Sequence, residues 1–331
     1  MLRVGRSALL VLLALPGSAC GRARVDELQS RPAPVSAPQA AASVHRLSPR
    51  LSRPAPERLV AIGDLHGDLD HARRALRLAG AIDEQDRWIG GHLVVVQTGD
   101  EIDRGDDDRA ILDLTESLKK QAAAAGGELV ALVGNHEVMN ASLDFRYVTP
   151  GGFAAFDRFP AAEGAMALGP IPAQARGRAA AFEPGGSYAR LVAGRPVVVK
   201  VGDALFVHGG VLPKHVAYGL DRMNDELDAW LAGRRLEPPS ILVAEDGPVW
   251  TRAYSSEDAA PDCESLATAL AELGATRMIV GHTVQHGGVN SACDGKVWRI
   301  DVGLARSFGG PIEALEIRGD TFSVQREGAT K

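Results

Sequence analysis

The sequence predicts an α/β fold in which a sandwich of two β-sheets is flanked by helices. The first half of the chain alternates short apolar runs with segments of helical periodicity, and this β-α-β-α-β order favours parallel strands joined by right-handed crossovers. Further along, two apolar runs flank the turn at Gly202-Asp203, and three more strand-like runs follow near the end of the chain. Two sets of strands surrounded by helices are best accommodated as two packed sheets.

The first half of the chain supplies the parallel strands and their crossovers. Buried strands are predicted at residues 59–62, 93–97 and 129–133, because each is an apolar run too short for a helix. Helices are predicted at 68–79 and 107–125, where apolar residues recur at helical spacing and a glycine follows the last of them. Each of the first two strands therefore leads through a turn into a helix.

The second half departs from this alternation. Residues 138–196 lack a clear strand pattern, so we interpret them as an inserted, partly helical cap that shapes access to the site, with a passive surface excursion as the alternative. The last strands are expected to form a second, antiparallel sheet. The elements predicted beyond the insertion are strands at 197–201, 204–207, 277–280, 296–300, 312–317 and 321–324 and helices at 221–232 and 264–273.

The N-terminus predicts export. Residues 1–20 combine Arg3 and Arg6 with a short apolar stretch and small residues before Cys20, which is typical of a bacterial lipoprotein signal peptide. Lipidation of Cys20 is therefore expected, with ordinary signal cleavage or an uncleaved cytoplasmic start as the alternatives. The apolar stretch is too short to span a bilayer, which takes about 20 residues. We expect a periplasmic protein that is held at the membrane only by this lipid.

A disordered tether is predicted after the signal segment. Residues 21–56 are rich in Pro, Ala, Arg and Ser and lack apolar periodicity, so the tether would separate the signal from a single domain at 57–327. Residues 1–57 carry eight Arg against three carboxylates, a net charge of +5, which leaves −11 for the rest of a chain whose total is −6. An acidic domain argues against a nucleic-acid partner, since nucleic acid favours a basic surface.

Two cysteines remain if Cys20 carries lipid. An exported chain permits a disulfide between Cys263 and Cys293. The alternative is a pair of unpaired buried thiols, because a bridge needs Cα atoms within about 7 Å and spacing along the chain does not fix that distance.

Five short polar clusters carry the chemistry, and each follows a predicted strand. In an α/β sheet, ligands collect at the carboxyl ends of the strands, so clusters at several such ends are expected to lie close together. The glycines in every cluster allow the backbone to turn sharply beside a ligand. The clusters are Gly63-Asp64-Leu65-His66-Gly67, the stretch from Gly99 to Gly105, Gly134-Asn135-His136-Glu137, His208-Gly209-Gly210 and Gly281-His282-Thr283.

The side chains in these clusters suit a pair of divalent cations. Carboxylate, amide and imidazole groups without a thiolate favour Mn, Fe, Co or Zn over a thiolate-bound structural zinc. A lone His or Asp after a strand is usually structural, but five such clusters together are not. Asp100 is the residue that we expect to bridge the two ions. The candidate metal-ligating residues are Asp64, His66, Asp100, Asn135, His208 and His282.

These patterns resemble the calcineurin-like metallophosphoesterase superfamily. They are GD-x-HG, GD-x-x-DRG, GNHE, HGG and GHT, in this order, and the resemblance covers residues 58–317. The DRG and GNHE forms are similar to the phosphoprotein phosphatase branch, specifically the bacterial or Shewanella-like phosphatases. The resemblance implies a two-metal phosphatase on a β-sandwich with flanking helices. By this resemblance the ligands of one ion are Asp64 and His66, those of the other are Asn135, His208 and His282, and the bridging ligand is Asp100.

The same resemblance implies phosphomonoester hydrolysis through in-line attack by a hydroxide that bridges the two ions. His136 is then the proton donor to the leaving oxygen, and Asp103 orients its ring by a hydrogen bond. Arg104 suits a phosphate-binding role because its planar guanidinium can bind two oxygens at once. Arg252 resembles a second phosphate-binding arginine of the family, with a surface salt bridge as the alternative. Asn135 is expected to contact the phosphate as well.

The leading hypothesis for the substrate is a phosphorylated protein. A small phosphorylated metabolite or a dinucleoside polyphosphate is the alternative for the same centre. A non-catalytic sensor of phosphorylated ligands in the cell envelope is a second alternative, which the complete set of catalytic residues disfavours. The sequence after Thr283 lacks the tyrosine-bearing loop that the eukaryotic phosphoprotein phosphatases place over the site, so their Ser/Thr preference is not carried over.

Overall fold

The structure, a computed structural model, describes residues 44–159 and 171–329. The predicted signal segment, Cys20 and the tether up to residue 43 lie outside these residues, as does a short piece of the insertion. Within the described ranges, no helix is both long and apolar enough to cross a bilayer.

The secondary-structure elements of the described residues are as follows. The strands are β1 (Ser52–Arg53), β2 (Leu59–Ile62), β3 (Val94–Gln97), β4 (Glu128–Ala131), β5 (Val198–Val201), β6 (Ala204–Val207), β7 (Arg277–Val280), β8 (Asn290–Ala292), β9 (Val297–Arg299), β10 (Glu313–Arg318) and β11 (Thr321–Arg326). The α-helices are α1 (Leu69–Leu78), α2 (Asp108–Ala124), α3 (Asn135–Ala141), α4 (Pro150–Ala154), α5 (Arg176–Phe182), α6 (Ser187–Ala193), α7 (Pro213–Tyr218), α8 (Leu220–Leu231), α9 (Ser240–Val243) and α10 (Cys263–Leu273).

These strands form two sheets, which confirms the predicted fold class. The first sheet has the order β11-β10-β2-β3-β4, and its strands β2, β3 and β4 are parallel, as the crossover helices require. The second sheet has the order β1-β5-β6-β7-β9-β8 and contains the antiparallel hairpin β5–β6. Strands β6 and β7 run parallel, so their carboxyl ends also meet at one edge.

The last two strands do not join the second sheet, and that part of the prediction is wrong. Strand β10 pairs antiparallel with β2, where Leu315 lies opposite Ala61, and β11 pairs with β10. The strand predicted at 296–300 does lie in the second sheet, but β9 runs parallel to β7. Apolar alternation reveals a strand but not its partner, and here Leu315 and Ile317 enter the apolar layer between the two sheets.

Three apolar layers hold the sandwich together. The layer between the sheets takes residues from both, among them Val96 of β3 and Phe206 of β6. A second layer lies between the first sheet and the helices α1 and α2, which contribute Ala72 and Ile111. The third layer covers the second sheet with the helices of the insertion and with α8 and α10. The edge at which β2, β3, β4, β6 and β7 end is therefore supported from both sides.

The folded region begins before the predicted boundary at residue 57. Leu51 is 1% exposed and packs into the third layer, and β1 pairs in parallel with β5. The tether predicted at 21–56 is therefore too long at its C-terminal end. The proline-rich composition gave no indication of the buried Leu51 or of the pairing of β1 with β5. These two contacts hold the segment at the edge of the second sheet.

The insertion at 138–196 is partly helical, in its described residues, and it packs firmly against the rest of the domain. Helices α4, α5 and α6 are only five to seven residues long, so they leave little periodicity in the sequence. Aromatic side chains of the insertion form a buried group in which the rings of Phe156 and Phe182 lie 5.2 Å apart, and those of Phe156 and Tyr188 5.1 Å. Residues 160–170 lie outside the described part.

Cys263 and Cys293 form a disulfide, with Cα atoms 5.4 Å apart. The bond joins the first residue of α10 to the turn that follows β8. It ties a covering helix to the edge hairpin of the second sheet.

Candidate metal centre

The five strand-end clusters converge where the two sheets meet. Asp64, Asp100 and Asn135 follow strands of the first sheet, whereas His208 and His282 follow strands of the second. All six candidate ligands are buried, with at most 9% of any residue exposed. Buried carboxylates and imidazoles at this density are costly unless they are paired or bind a cation. The structure thus brings together the residues that the sequence singled out.

The backbone around the site is held in an uncommon conformation. His66, Asp100 and His282 have φ angles of 47°, 56° and 66°, in the left-handed region that side chains other than glycine rarely adopt. Gly99, at φ 98°, lets the chain pass directly against Gly134, where an added Cβ would lie 2.6 Å from a backbone nitrogen. These turns follow the ends of β2, β3 and β7, where they place the polar side chains of the site.

Asp100 lies at the centre of the group. Its Oδ2 is 3.2 Å from His208 Nε2, 3.8 Å from His136 Nε2 and 3.9 Å from His66 Nε2. Burial would raise the pKa of Asp100, but the facing imidazoles of His208 and His136 bring that pKa well below its usual value. Asp100 is therefore an ionised carboxylate that faces ligands on both of its sides.

The positions of His208 and Asn135 relative to Asp100 show whether a cation would fit between these three side chains. His208 Nδ1 lies 2.9 Å from the carbonyl oxygen of Thr98, so a neutral ring would donate there and leave Nε2 as an acceptor. That Nε2 lies 2.9 Å from Asn135 Oδ1 and 3.2 Å from Asp100 Oδ2. Three converging lone-pair atoms require positive charge between them. Without a cation a proton takes that place, and the pKa of His208 is accordingly raised, since Asp100 outweighs the effect of burial.

Two overlapping groups of ligand atoms are compact enough to hold ions. The atoms of Asp100, His208 and His282 lie within 4.8 Å of one another, and so do those of Asp100, His66 and His136. Asp100 belongs to both groups, as a bridging ligand must. Asp64 lies beside them, with Oδ2 3.9 Å from His66 Nε2. These carboxylate and imidazole atoms are grouped closely enough to hold divalent metal.

Three histidines near Asp100 differ in their pKa, and these are His66, His282 and His136. Burial lowers the pKa of His66 to about 4 and lowers that of His282 well below its usual value, so both rings are neutral and able to ligate. Burial also acts on His136, but Asp100 and Asp103 outweigh it and raise the pKa. A ring that keeps its proton can act as a proton donor. The pKa of His208 is raised as well, so the feature that distinguishes His136 is the carboxylate of Asp103, 2.7 Å from its Nδ1.

Asp103 holds the ring of His136 in place. Its Oδ2 lies 2.7 Å from His136 Nδ1, which leaves Nε2 directed toward the centre. Asn140 donates to both oxygens of Asp103 at 3.0 and 3.1 Å. The pairing of Asp103 with His136 that the sequence predicted is thus present in the structure.

A buried glutamate supports the loops that carry the ligands. Glu137 accepts hydrogen bonds from the backbone nitrogens of Asp100, Glu101 and Gly134 at 2.8 to 3.0 Å. Burial, together with Asp100 and Glu101, raises the pKa of Glu137 to about 7. Arg195, at the end of the insertion, lies 2.7 Å from Glu101 and supplies the compensating charge behind the site.

Both candidate phosphate-binding arginines face the same open cavity, whose volume is about 490 Å³. The guanidinium of Arg104 makes no ion pair with any described residue, and its Nε is buried without a hydrogen-bond partner. Arg252 donates to the carbonyl oxygen of His282 at 3.0 Å and to Thr283 Oγ1 at 2.9 Å, so it is not the surface salt bridge of the alternative. Asn135 also lines this cavity.

Sequence reasoning missed two aromatic side chains at the cavity mouth. The guanidinium carbon of Arg104 lies 4.0 Å from the ring centre of Tyr147 and 5.4 Å from that of Phe308. Tyr147 belongs to the insertion, and Phe308 belongs to the loop between β9 and β10. The chain therefore does place aromatic rings over the site, although not in the segment directly after Thr283. Neither residue stands in a motif, so no sequence signal identified them.

Sequence reasoning also missed one carboxylate that lines the cavity, that of Asp301. Asp301 follows β9, is 2% exposed and lines the cavity, and burial raises its pKa to about 6. One of its oxygens accepts from the backbone nitrogen of Gly303 at 2.9 Å. A lone Asp between apolar residues gave no reason to place it beside the ligands.

Comparisons with known proteins give a consistent result. A model of the calcineurin-like phosphoesterase family matches residues 57–286, which contain all six candidate ligands. Shewanella-like protein phosphatase 2 of Arabidopsis thaliana is 41% identical over 298 residues, and the match covers 80% of this chain and 76% of that protein. An uncharacterised protein of Schizosaccharomyces pombe is 32% identical over 280 residues, covering 81% of this chain and 80% of that protein.

A solved structure with a similar fold is the cold-active protein-tyrosine phosphatase of a psychrophilic Shewanella species. It superposes with a TM-score of 0.68 at 25% identity, and the match covers 85% of this chain and 83% of that one.

Proposed function

This chain belongs to the calcineurin-like phosphoesterase family, and we propose from that premise that it hydrolyses phosphotyrosine in proteins at a centre of two divalent cations. Hydrolysis of phosphoric monoesters follows from the family and from relatives named protein phosphatases. We propose in addition that two cations are bound and that the substrate is phosphotyrosine. The observation that carries it is that Asp100 belongs to both groups of ligand atoms, with Arg104 and His136 facing the same cavity.

The ligands would be divided as the family resemblance implies. Asp64 and His66 would hold one cation, and Asn135, His208 and His282 the other. Asp100 would contact both. When bound, the cations would supply the positive charge that acidifies water and neutralises the phosphoryl oxygens.

Arg104 and His136 would act on the substrate itself. Arg104 binds two phosphoryl oxygens through its planar guanidinium and orients the phosphorus in the cavity. Once the attacking water has lost one proton to the solvent, its oxygen forms the new bond to phosphorus as the bond from phosphorus to the phenolic oxygen of the substrate breaks. His136 gives the proton on Nε2 to that leaving oxygen, and Asp103 keeps the ring oriented by accepting from Nδ1.

The aromatic cavity mouth supports a preference for tyrosine. Tyr147 and Phe308 both lie close to Arg104 and line the cavity, so a phenyl ring whose phosphate reaches Arg104 would lie near two aromatic rings. An alkyl side chain such as that of serine would gain little from this contact. The name of the related Shewanella structure, a protein-tyrosine phosphatase, points in the same direction.

Phosphopeptides of one sequence that differ only in the phosphorylated residue test the substrate. With metal-stripped protein reloaded with Mn, Fe, Co or Zn in turn, we expect kcat/KM for the phosphotyrosine peptide to exceed the phosphoserine and phosphothreonine values by about tenfold or more. Replacing both Tyr147 and Phe308 with Leu should remove most of this preference. Phe153→Leu, also in the insertion but outside the cavity, is the matched control and should retain it.

Three outcomes would contradict the proposal. Equal values for the three peptides would exclude the tyrosine preference. Faster turnover of a nucleotide or a dinucleoside polyphosphate than of any peptide would favour the small-metabolite alternative. No turnover with any metal, combined with tight binding of phosphotyrosine, would favour the sensor.

We also propose that the protein is exported and lipidated at Cys20. The signal-like residues 1–20 support this, and the Cys263–Cys293 disulfide is consistent with an oxidising compartment. In bacterial cells given radiolabelled palmitate, the wild-type chain should carry label and Cys20→Ala should not. Label that persists in Cys20→Ala would refute the anchor.

A further inference from the structure

Arg178 is a buried cation that the insertion delivers to the back of the catalytic loop. It lies in α5 and its side chain is 0% exposed. Nη2 lies 2.8 Å from Asp103 Oδ1, and Nη1 lies 2.6 Å from Asp108 Oδ2. Nε donates to Asn140 Oδ1 at 2.7 Å. A buried guanidinium is tolerated only when its partners satisfy its charge and its donors. Here the two carboxylates lie on the loop that leads into α2 and on the first residue of that helix, and the other partners are Asn140 of α3 and the carbonyl oxygen of Gly152, 2.8 Å from Nη1.

These contacts fix Asp103 from the side opposite His136. One oxygen of Asp103 receives Arg178, and the other receives His136 at 2.7 Å. Asp108, whose other oxygen accepts from the backbone nitrogen of Asp103 at 2.9 Å, is held by the same guanidinium. The position of Asp103 is thus determined through its side chain and through its backbone, which has a left-handed φ of 69°.

We propose that Arg178 is a positioning residue for the proton donor. It would hold Asp103 so that Asp103 in turn directs His136 Nε2 at the leaving oxygen, and this inference rests on the proposed function. In this view the insertion supports catalysis as well as shaping access. Arg178 contacts no candidate metal ligand, so its effect on the reaction would pass through Asp103 and through Asn140, which donates to Asp103 and to the carbonyl oxygen of His136.

A purely structural role is the competing explanation. The guanidinium carbon of Arg178 lies 5.2 Å from the ring centre of Phe156 and 5.1 Å from that of Phe182, so the residue also helps to pack α5. Loss of packing would lower the amount of folded protein, or turnover of every substrate, by the same factor. Loss of proton donation would depend on how much the leaving group needs a proton, and this difference separates the two explanations.

The test compares two aryl phosphates. Phenyl phosphate releases a phenol with a pKa of about 10, like that of tyrosine, and needs a proton donor. p-Nitrophenyl phosphate releases a much more acidic phenol and needs one far less. We expect Arg178→Gln to lower kcat for phenyl phosphate about tenfold more than kcat for p-nitrophenyl phosphate, with bound metal unchanged. In a His136→Ala background, Arg178→Gln should change that ratio less than about twofold, because the group it positions is absent.

Arg195→Gln is the matched control. It removes the other buried arginine that the insertion contributes, but its partners are Glu101 and Glu116 rather than Asp103. Its ratio for the two substrates should stay that of the wild type, whatever it does to stability. If Arg178→Gln does not fold, Arg178→Lys keeps the charge but cannot reach Asp103, Asp108 and Asn140 together, and it should shift the ratio in the same direction by a smaller factor.

The results that overturn the inference differ from those that overturn the proposed function. Equal losses for the two substrates in the Arg178 variants, while His136→Ala discriminates between them, would make Arg178 structural only. A His136→Ala variant that does not discriminate would remove the proton-donor role itself. A shift in the ratio by Arg178→Gln that persists at full size in the His136→Ala background would show that Arg178 acts by another route.

Discussion

Asp100→Asn is expected to abolish turnover and to release bound metal. The amide keeps the shape of the side chain but loses the charge that two cations would share, and Asp100 Oδ2 lies within 3.9 Å of three imidazoles that converge on it. Because cations contribute several kcal/mol of charge stabilisation in the transition state, kcat should fall by about 10³-fold or more. Steady-state kinetics together with the metal content of the dialysed protein, measured by mass spectrometry, check both parts.

The control is Asp107→Asn, seven residues further along the same loop and exposed. It makes the same chemical change outside the site and should keep both metal and rate. Turnover of Asp100→Asn at a rate near that of the wild type would exclude the bridging assignment. A variant that keeps both metals but loses its rate would instead make Asp100 a catalytic group rather than a ligand.

His136→Ala is expected to retain metal and still lose rate. His136 stands between a carboxylate that orients it, Asp103 at 2.7 Å, and the cavity that would receive the substrate. Removing a general acid lowers kcat on the order of 10²- to 10⁴-fold, and the loss should be largest with phosphotyrosine, whose phenolic oxygen needs a proton. Metal content per chain should equal that of the wild type, since Asp100 keeps its other partners.

The same measurements can contradict this division of roles. His136 Nε2 lies 3.8 Å from Asp100 Oδ2 and belongs to one of the two compact groups of ligand atoms. If His136→Ala lost one equivalent of metal, as Asp100→Asn is expected to, His136 would be a ligand. His92→Ala, which removes an exposed imidazole whose Nδ1 lies 3.1 Å from the carbonyl oxygen of Gly126, is the control and should change neither quantity.

The ligand set was predictable because its signals are local. Each candidate follows its strand within a few residues, and glycines mark the turns, so Asp64, Asp100 and His208 could be placed at strand ends without knowing the tertiary structure. Parallel pairing then brings those ends together. The roles of Asp103 and Arg104 came from the resemblance, and the structure places both at the candidate centre.

The remaining features depend on contacts between distant parts of the chain. Arg178 meets Asp103 from 75 residues away, through a helix too short to be recognised from periodicity. Tyr147 and Phe308 reach Arg104 from an irregular segment and a loop, where no repeat indicates which way a side chain points. The partner of β10 was wrongly predicted for the same reason. Asp108, the first residue of α2, is likewise buried against Arg178, and nothing in its local sequence indicates that partner.

The division of the ligands between the two sheets has a thermodynamic consequence. Asp64, Asp100 and Asn135 come from one sheet and His208 and His282 from the other, so a cation that contacts both sets binds only a chain in which the sandwich has closed. Ligands of this kind stabilise the folded state by about 2.7 kcal/mol when present at one hundred times their dissociation constant. The concentration of free cation would then affect the free energy of unfolding as well as the rate of turnover. Removing the cations with a chelator would make the two sheets easier to separate.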